Sequence, residues 1–152
     1  FYILDSNGKI NNVFDRVESF QIAIEYTLKE NVSDVYVSFS LHSADIQISV
    51  NQDTCVIAWS ERHYKRYKYN TENVDKQPGV YTNTIEIPGY LINSGKYYLN
   101  VGLIKGEVAY ENFQKKIILD LLDESSSHMF KTGRRSGVIA KPLDWNVKFI
   151  SL

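Results

Sequence analysis

In three stretches of this chain, large apolar residues fall on every second position, and that pattern narrows the possible folds more than any other feature. From Phe20 to Leu28, Phe20, Ile22, Ile24, Tyr26 and Leu28 alternate with smaller or polar residues. Val35, Val37, Phe39 and Leu41 alternate with Tyr36, Ser38, Ser40 and His42, and Tyr97, Leu99, Val101 and Leu103 alternate with Tyr98, Asn100 and Gly102. A helix needs apolar residues three and four apart, whereas a strand with one buried face needs them two apart. Shorter segments with strand composition are Phe1–Leu4, Ile46–Val50, Cys55–Trp59, Val80–Ile87, Lys116–Leu122 and Val147–Ile150. Turn residues separate them: Asp5-Ser6-Asn7-Gly8, Pro88-Gly89, Ser94-Gly95 and the Gly133–Gly137 stretch. About nine short strands with regular turns predict an all-β, Ig-like or jelly-roll-like antiparallel β-sandwich. Tyr90–Asn93 is the one segment that reads as a helical turn.

The length of 152 residues suits one domain, and we read residues 1–152 as a single unit. Eleven tyrosines and seven phenylalanines reinforce the strand reading, since aromatic residues favour extended backbone. A formal net charge of -1 supplies no global field for drawing in nucleic acid or an anionic membrane. No apolar run approaches the roughly 20 residues a bilayer-spanning helix requires. Cys55, the single cysteine, sits in the apolar Cys55-Val56-Ile57-Ala58-Trp59 and reads as a buried, unreactive thiol in a reducing compartment. The chain opens on Phe1 with no signal segment behind it, and we expect it to be part of a longer protein.

No catalytic constellation is visible, so this domain is not expected to be an enzyme and no cofactor is implied. Gly89 to Tyr97 has the outline of a phosphate-binding loop but fails as one. Five residues separate Gly89 from Gly95, and Tyr97 stands where a magnesium-binding hydroxyl belongs. His42, His63 and His128 lack the close spacing of a zinc site, so no metal is expected. Asp120, Asp123 and Glu124 read as solvated carboxylates at a strand end, and no serine lies in a Gly-x-Ser-x-Gly elbow.

Arg62-His63-Tyr64-Lys65-Arg66-Tyr67-Lys68-Tyr69 interleaves basic and aromatic residues. It reads as an exposed hairpin-like loop, as a sugar-binding surface of stacking rings and hydrogen-bond donors, or as a single-strand nucleic-acid surface. The near-neutral chain disfavours the last, and nucleic acid is not an expected partner. Gly133-Arg134-Arg135-Ser136-Gly137 is a second basic loop, suited either to solubility or to holding an anionic group. Asn31-Val32-Ser33 matches a glycosylation sequon, a pattern common by chance.

Three ordered stretches carry a family resemblance. The first is Leu4-Asp5-Ser6-Asn7-Gly8 followed by Glu18 to Tyr26. The second is Gly79-Val80-Tyr81, Ile85-Glu86-Ile87-Pro88, Leu91 and Gly95 to Leu103. The third is Gly137-Val138-Ile139-Ala140-Lys141-Pro142-Leu143-Asp144-Trp145. Together they resemble the C-terminal domain of the Wzt-type ATPase subunit of polysaccharide ABC transporters. The resemblance implies a non-catalytic carbohydrate-binding sandwich attached to an N-terminal ATPase domain. Such a domain recognises an exported, lipid-linked O-antigen-type glycan, often at its terminal region, and couples chain completion to export. It also implies a homodimer, a permease reached through the parent ATPase, and a cytoplasmic position at the inner face of the membrane without direct insertion. The Arg62–Tyr69 segment and the extension Asn146–Leu152 match none of these signatures. The alternative is a structural module for dimerisation or partner docking.

No contact residue transfers by motif, so the expected site comes from the alternation itself. If Phe20, Ile22, Ile24, Val37, Phe39, Leu41, Leu99 and Val101 fill the core, the opposite face displays Tyr36, Ser38, Ser40 and His42 beside Tyr98 and Asn100. Exposed rings among small polar groups suit a glycan. The expected contacts are Tyr36, His42, Tyr98 and Asn100, with Arg66 and Tyr67 reaching over from the basic segment. Trp59 reads either as a stacking residue or as core, and Trp145 as packing.

Overall fold

The computed structural model describes residues 1–44, 55–71, 73–106, 108–122 and 145–151. Among these the chain forms nine strands and one helix: β1 (Tyr2–Leu4), β2 (Val13–Asp15), β3 (Phe20–Leu28), β4 (Val35–Ser43), β5 (Cys55–Ser60), α1 (Glu61–Tyr69), β6 (Gly79–Ile87), β7 (Gly95–Lys105), β8 (Val108–Leu122) and β9 (Trp145–Ile150). They build two sheets, ordered β1-β3-β6-β9 and β2-β8-β7-β4-β5. The all-β sandwich expected from the alternation is the observed architecture.

Three differences have physical reasons. The pairing of β2 with β8 is parallel, with Phe14 opposite Leu121, so the larger sheet is mixed and not wholly antiparallel. Three residues are too few to show a period, and β2 was not legible as a strand. The Arg62–Tyr69 segment is not a hairpin-like loop but most of α1. Tyr90–Asn93 forms turns instead of helix, with Tyr90 held at φ 61°. The expected strand Ile46–Val50, the basic loop Gly133–Gly137, His128, Asp123 and Glu124 lie outside the described residues.

The inward positions behave as alternation demands. Ile22, Ile24, Val37, Leu41 and Leu99 are at most 2% exposed and join Phe20, Phe39 and Val101 in one core cluster. Each such side chain contributes roughly 1.5–3 kcal/mol by leaving water. Phe14 and Phe20 stack at 5.0 Å, which fastens short β2 to the core of the other sheet. Beside that stack, the turn after β6 lies hard against residues 16–18, which link β2 to β3. Tyr90 donates its N–H to the Arg16 carbonyl, and a Cβ added at Gly89 would come within 2.0 Å of the Val17 carbonyl oxygen. Backbone cannot yield as a flexible side chain does. Gly89→Ala is therefore expected to lower stability by about 1–3 kcal/mol, as overpacking does, seen as a lower urea midpoint with unchanged slope.

Candidate functional site: a hydroxyl-floored groove under the helix

Strand register places the outward residues of β5, β4 and β7 in transverse rows. Ser38 lies between Ser60 and Gly102, and Ser40 lies between Ala58 and Asn100. One row beyond the first, Tyr36 faces Ile104; one row beyond the second, His42 faces Tyr98. The two middle rows carry only short side chains and one amide, so the sheet surface dips there. Taller residues stand at either end.

The result is a groove of about 400 Å³, lined by Tyr36, Ser38, Ser40, Ala58, Trp59, Ser60, His63, Asn100 and Ile104, with Phe39, Val101 and Gly102 beneath. Three hydroxyls, an amide, an imidazole and a phenol ring face one depression. Side chains of this kind both donate and accept hydrogen bonds, as sugar hydroxyls do. No group of three or more His, Cys, Asp or Glu residues suited to a metal occurs among the described residues.

Helix α1 forms the wall at the Tyr36 end. Ser60 caps it: the hydroxyl accepts the His63 N–H at 3.3 Å, and the same oxygen lies 3.0 Å from His63 Nδ1. Capping of this kind is worth about 1 kcal/mol. Asn70 closes the far end in the left-handed conformation at φ 51°, its N–H donating to the Arg66 carbonyl. Arg62 places its guanidinium 4.4 Å from the centre of the Tyr36 ring and pairs with Asp34. Tyr36 in turn donates its hydroxyl to the Gly106 carbonyl at 3.2 Å. The ring is thus held at both its face and its tip.

Below the wall lies a buried charged pair. Glu61, the first helical residue, is 1% exposed, and Lys76 is 6% exposed. The Lys76 ammonium donates to both Glu61 carboxylate oxygens at 2.7 and 2.8 Å and to the Val35 carbonyl at 3.0 Å. Asn83 adds a 3.4 Å bond from its amide to the same carboxylate. Burial pushes the Lys76 pKa below its ordinary value, and the Glu61 charge pulls against that shift. Burial likewise raises the phenol pKa of Tyr26, with the Glu61 charge adding to it.

The expected site residues divide in two. Tyr36 and Asn100 line the groove. His42 and Tyr98 form the adjoining row on the same face, and His42 reaches in through Ser40, with Nε2 2.8 Å from its hydroxyl. Arg66 and Tyr67 sit on α1, exposed and one turn beyond Arg62 and His63, and neither lines the groove. Sequence reasoning missed His63, Ser60 and Ala58 as lining residues. The cap signal at Ser60-Glu61, with Asn70 ending a basic last turn, was the available clue to the helix that brings His63 over the sheet. Trp59 packs against the core cluster and also meets the groove, its indole 5.6 Å from the His63 ring. The Cys55 thiol is partly buried, its Sγ 3.4 Å from the Ile57 carbonyl. Asn31 is exposed beside buried Val32, whose backbone pairs with that of Lys76.

No helix among the described residues is long and apolar enough to cross a membrane. No model of a known protein family matches the chain. No curated protein matches it either. Among solved structures, the chain is similar to one described as the crystal structure of the C-terminal domain of wzt, with a TM-score of 0.59 and 14% identity over 83% of this chain and 78% of that one. At that identity the likeness is one of fold, and the fold is that of the Wzt C-terminal domain.

Proposed function

We propose that this domain binds a polysaccharide in the groove between β5, β4 and β7, as the carbohydrate-recognition module of a polysaccharide ABC exporter. The observation that carries the reading is the floor itself: Ser38, Ser40, Ser60 and Asn100 in register on one sheet, beside a fixed aromatic ring. Hydroxyls replace water around a sugar one for one, and a ring covers the apolar face of a pyranose. The shared fold with the Wzt C-terminal domain supports the same reading.

In this role the domain works without catalysis. It holds the terminal region of a lipid-linked O-antigen-type glycan at the inner face of the membrane, as one of a pair of copies, and passes it to a permease through an attached ATPase. Binding is modest per contact, since each sugar hydroxyl exchanges one hydrogen bond for another at a net gain of about 0.5–1.5 kcal/mol.

The test is calorimetric titration against a panel of O-polysaccharides released from lipopolysaccharide, each with its terminal residue intact or removed. Saturable binding that weakens on removal of the terminus supports the reading; no binding across the panel refutes it. Asn100 is exposed at the groove margin, so Asn100→Ala is expected to weaken binding by about 0.5–1.5 kcal/mol while leaving the urea midpoint unchanged.

A second reading has one observation in its favour. Edge strand β9 exposes Val147, Phe149 and Ile150, as a module built only for docking would. That reading expects dimers in solution and full function after Tyr36→Ala and Tyr98→Ala.

A further inference from the structure

The buried Glu61–Lys76 pair sits where it decides the shape of the groove. Glu61 follows Ser60 directly and precedes His63 by two residues, and both of those line the groove. Lys76 bonds that carboxylate and, at the same time, the carbonyl of Val35, the residue before Tyr36. A single ammonium therefore ties the first turn of the helical wall to the strand that carries the floor. Surface contacts do not replace it. Arg62 reaches Asp34 from a position 22% exposed, where water competes for both charges. The pair beneath is buried, with the Val35 carbonyl, Asn83 and Lys65 as its further partners.

We propose that Glu61 and Lys76 are positioning residues for the groove: their contact sets the distance between the α1 wall and the β4 floor, and so sets affinity without either residue touching the ligand. This deepens the glycan-binding reading and rests on it for its functional consequence, but its structural half stands alone. The proposal separates geometry from stability, because an ion pair of this kind can be replaced by apolar residues of similar volume with little loss of fold. A pair retained only for stability leaves the groove intact after such a swap. A positioning pair does not, since apolar contact is non-directional and fixes no register.

The experiment uses the whole chain carrying Trp145→Phe, so that Trp59 alone reports. The variants are the double replacement Glu61→Leu with Lys76→Met, and Glu61→Asp, each with and without His63→Ala. In the parent, His63→Ala is expected to change Trp59 emission, because the two rings lie 5.6 Å apart. In the double variant, His63→Ala is expected to leave emission unchanged, since the wall has moved off. Affinity for the tightest-binding O-polysaccharide of the panel is expected to fall at least about tenfold, with far-ultraviolet circular dichroism unaltered.

Retention of both the His63-dependent emission change and the parent affinity within about twofold overturns the proposal. Should no polysaccharide bind even the parent, the emission comparison decides the positioning role by itself, while the glycan reading fails separately. Glu61→Asp keeps the charge and draws the carboxylate back by one methylene. It serves as the folded variant if the double replacement does not fold, with the same emission change expected to shrink and the same retention overturning the idea.

Discussion

Lys76→Met, made alone, is expected to destabilise the domain by about 3–5 kcal/mol, the largest effect of any single change away from the apolar core. The variant leaves the Glu61 carboxylate 1% exposed with its only buried cationic partner among the described residues gone. Lys65 lies 3.5 Å from the same carboxylate, but its side chain is 29% exposed and partly hydrated. Asn83 offers one long bond, and its own Oδ1 makes none among the described residues. The Val35 carbonyl also loses its donor. Urea unfolding measures the result. A drop under about 1 kcal/mol, the range of an exposed pair, means that water reaches Glu61 and that the pair is not dry. A loss of this size is a large share of the 5–15 kcal/mol that holds an ordinary domain together.

Ser40→Trp is expected to abolish polysaccharide binding, weakening it at least about 100-fold, or about 2.7 kcal/mol, while changing stability by no more than about 0.5 kcal/mol. Ser40 occupies the middle of the floor, between Ala58 and Asn100, on the side of β4 that takes no part in the core. An indole there fills the depression from below. Its one structural casualty is the contact with His42, which is partly solvated. Titration and urea unfolding of the same preparation separate the two effects. Undiminished binding in a folded Ser40→Trp chain places the glycan elsewhere on the molecule.

The parts of this structure that were legible in sequence are those whose physics is local. Leu99 and Asn100 lie next to one another, yet one is fully buried and the other exposed, because extended backbone turns neighbours to opposite sides. The same rule placed Tyr36 and His42 on the outer face. Helix α1 was hidden because it buries only Glu61 and Tyr64, and one of those is a carboxylate whose burial depends on Lys76, fifteen residues away. A hydrophobic period has nothing to register in such a segment. The complete floor was hidden for another reason. Ser60 and Ala58 join it only because β5 folds back on β4, and no local pattern states which strands become neighbours.

The position of the floor on strands, and not on loops, has a consequence for how such a domain changes over time. Ser38, Ser40, Ala58 and Asn100 share their strands with Phe39, Leu41 and Leu99, but they answer to different constraints. Outward residues are free to be exchanged for others of different size and polarity while the inward set goes on holding the sheets together. On the proposed glycan-binding reading, ligand preference can therefore be altered by single outward substitutions that leave the core intact, since surface changes of this kind usually alter stability by no more than about 0.5 kcal/mol.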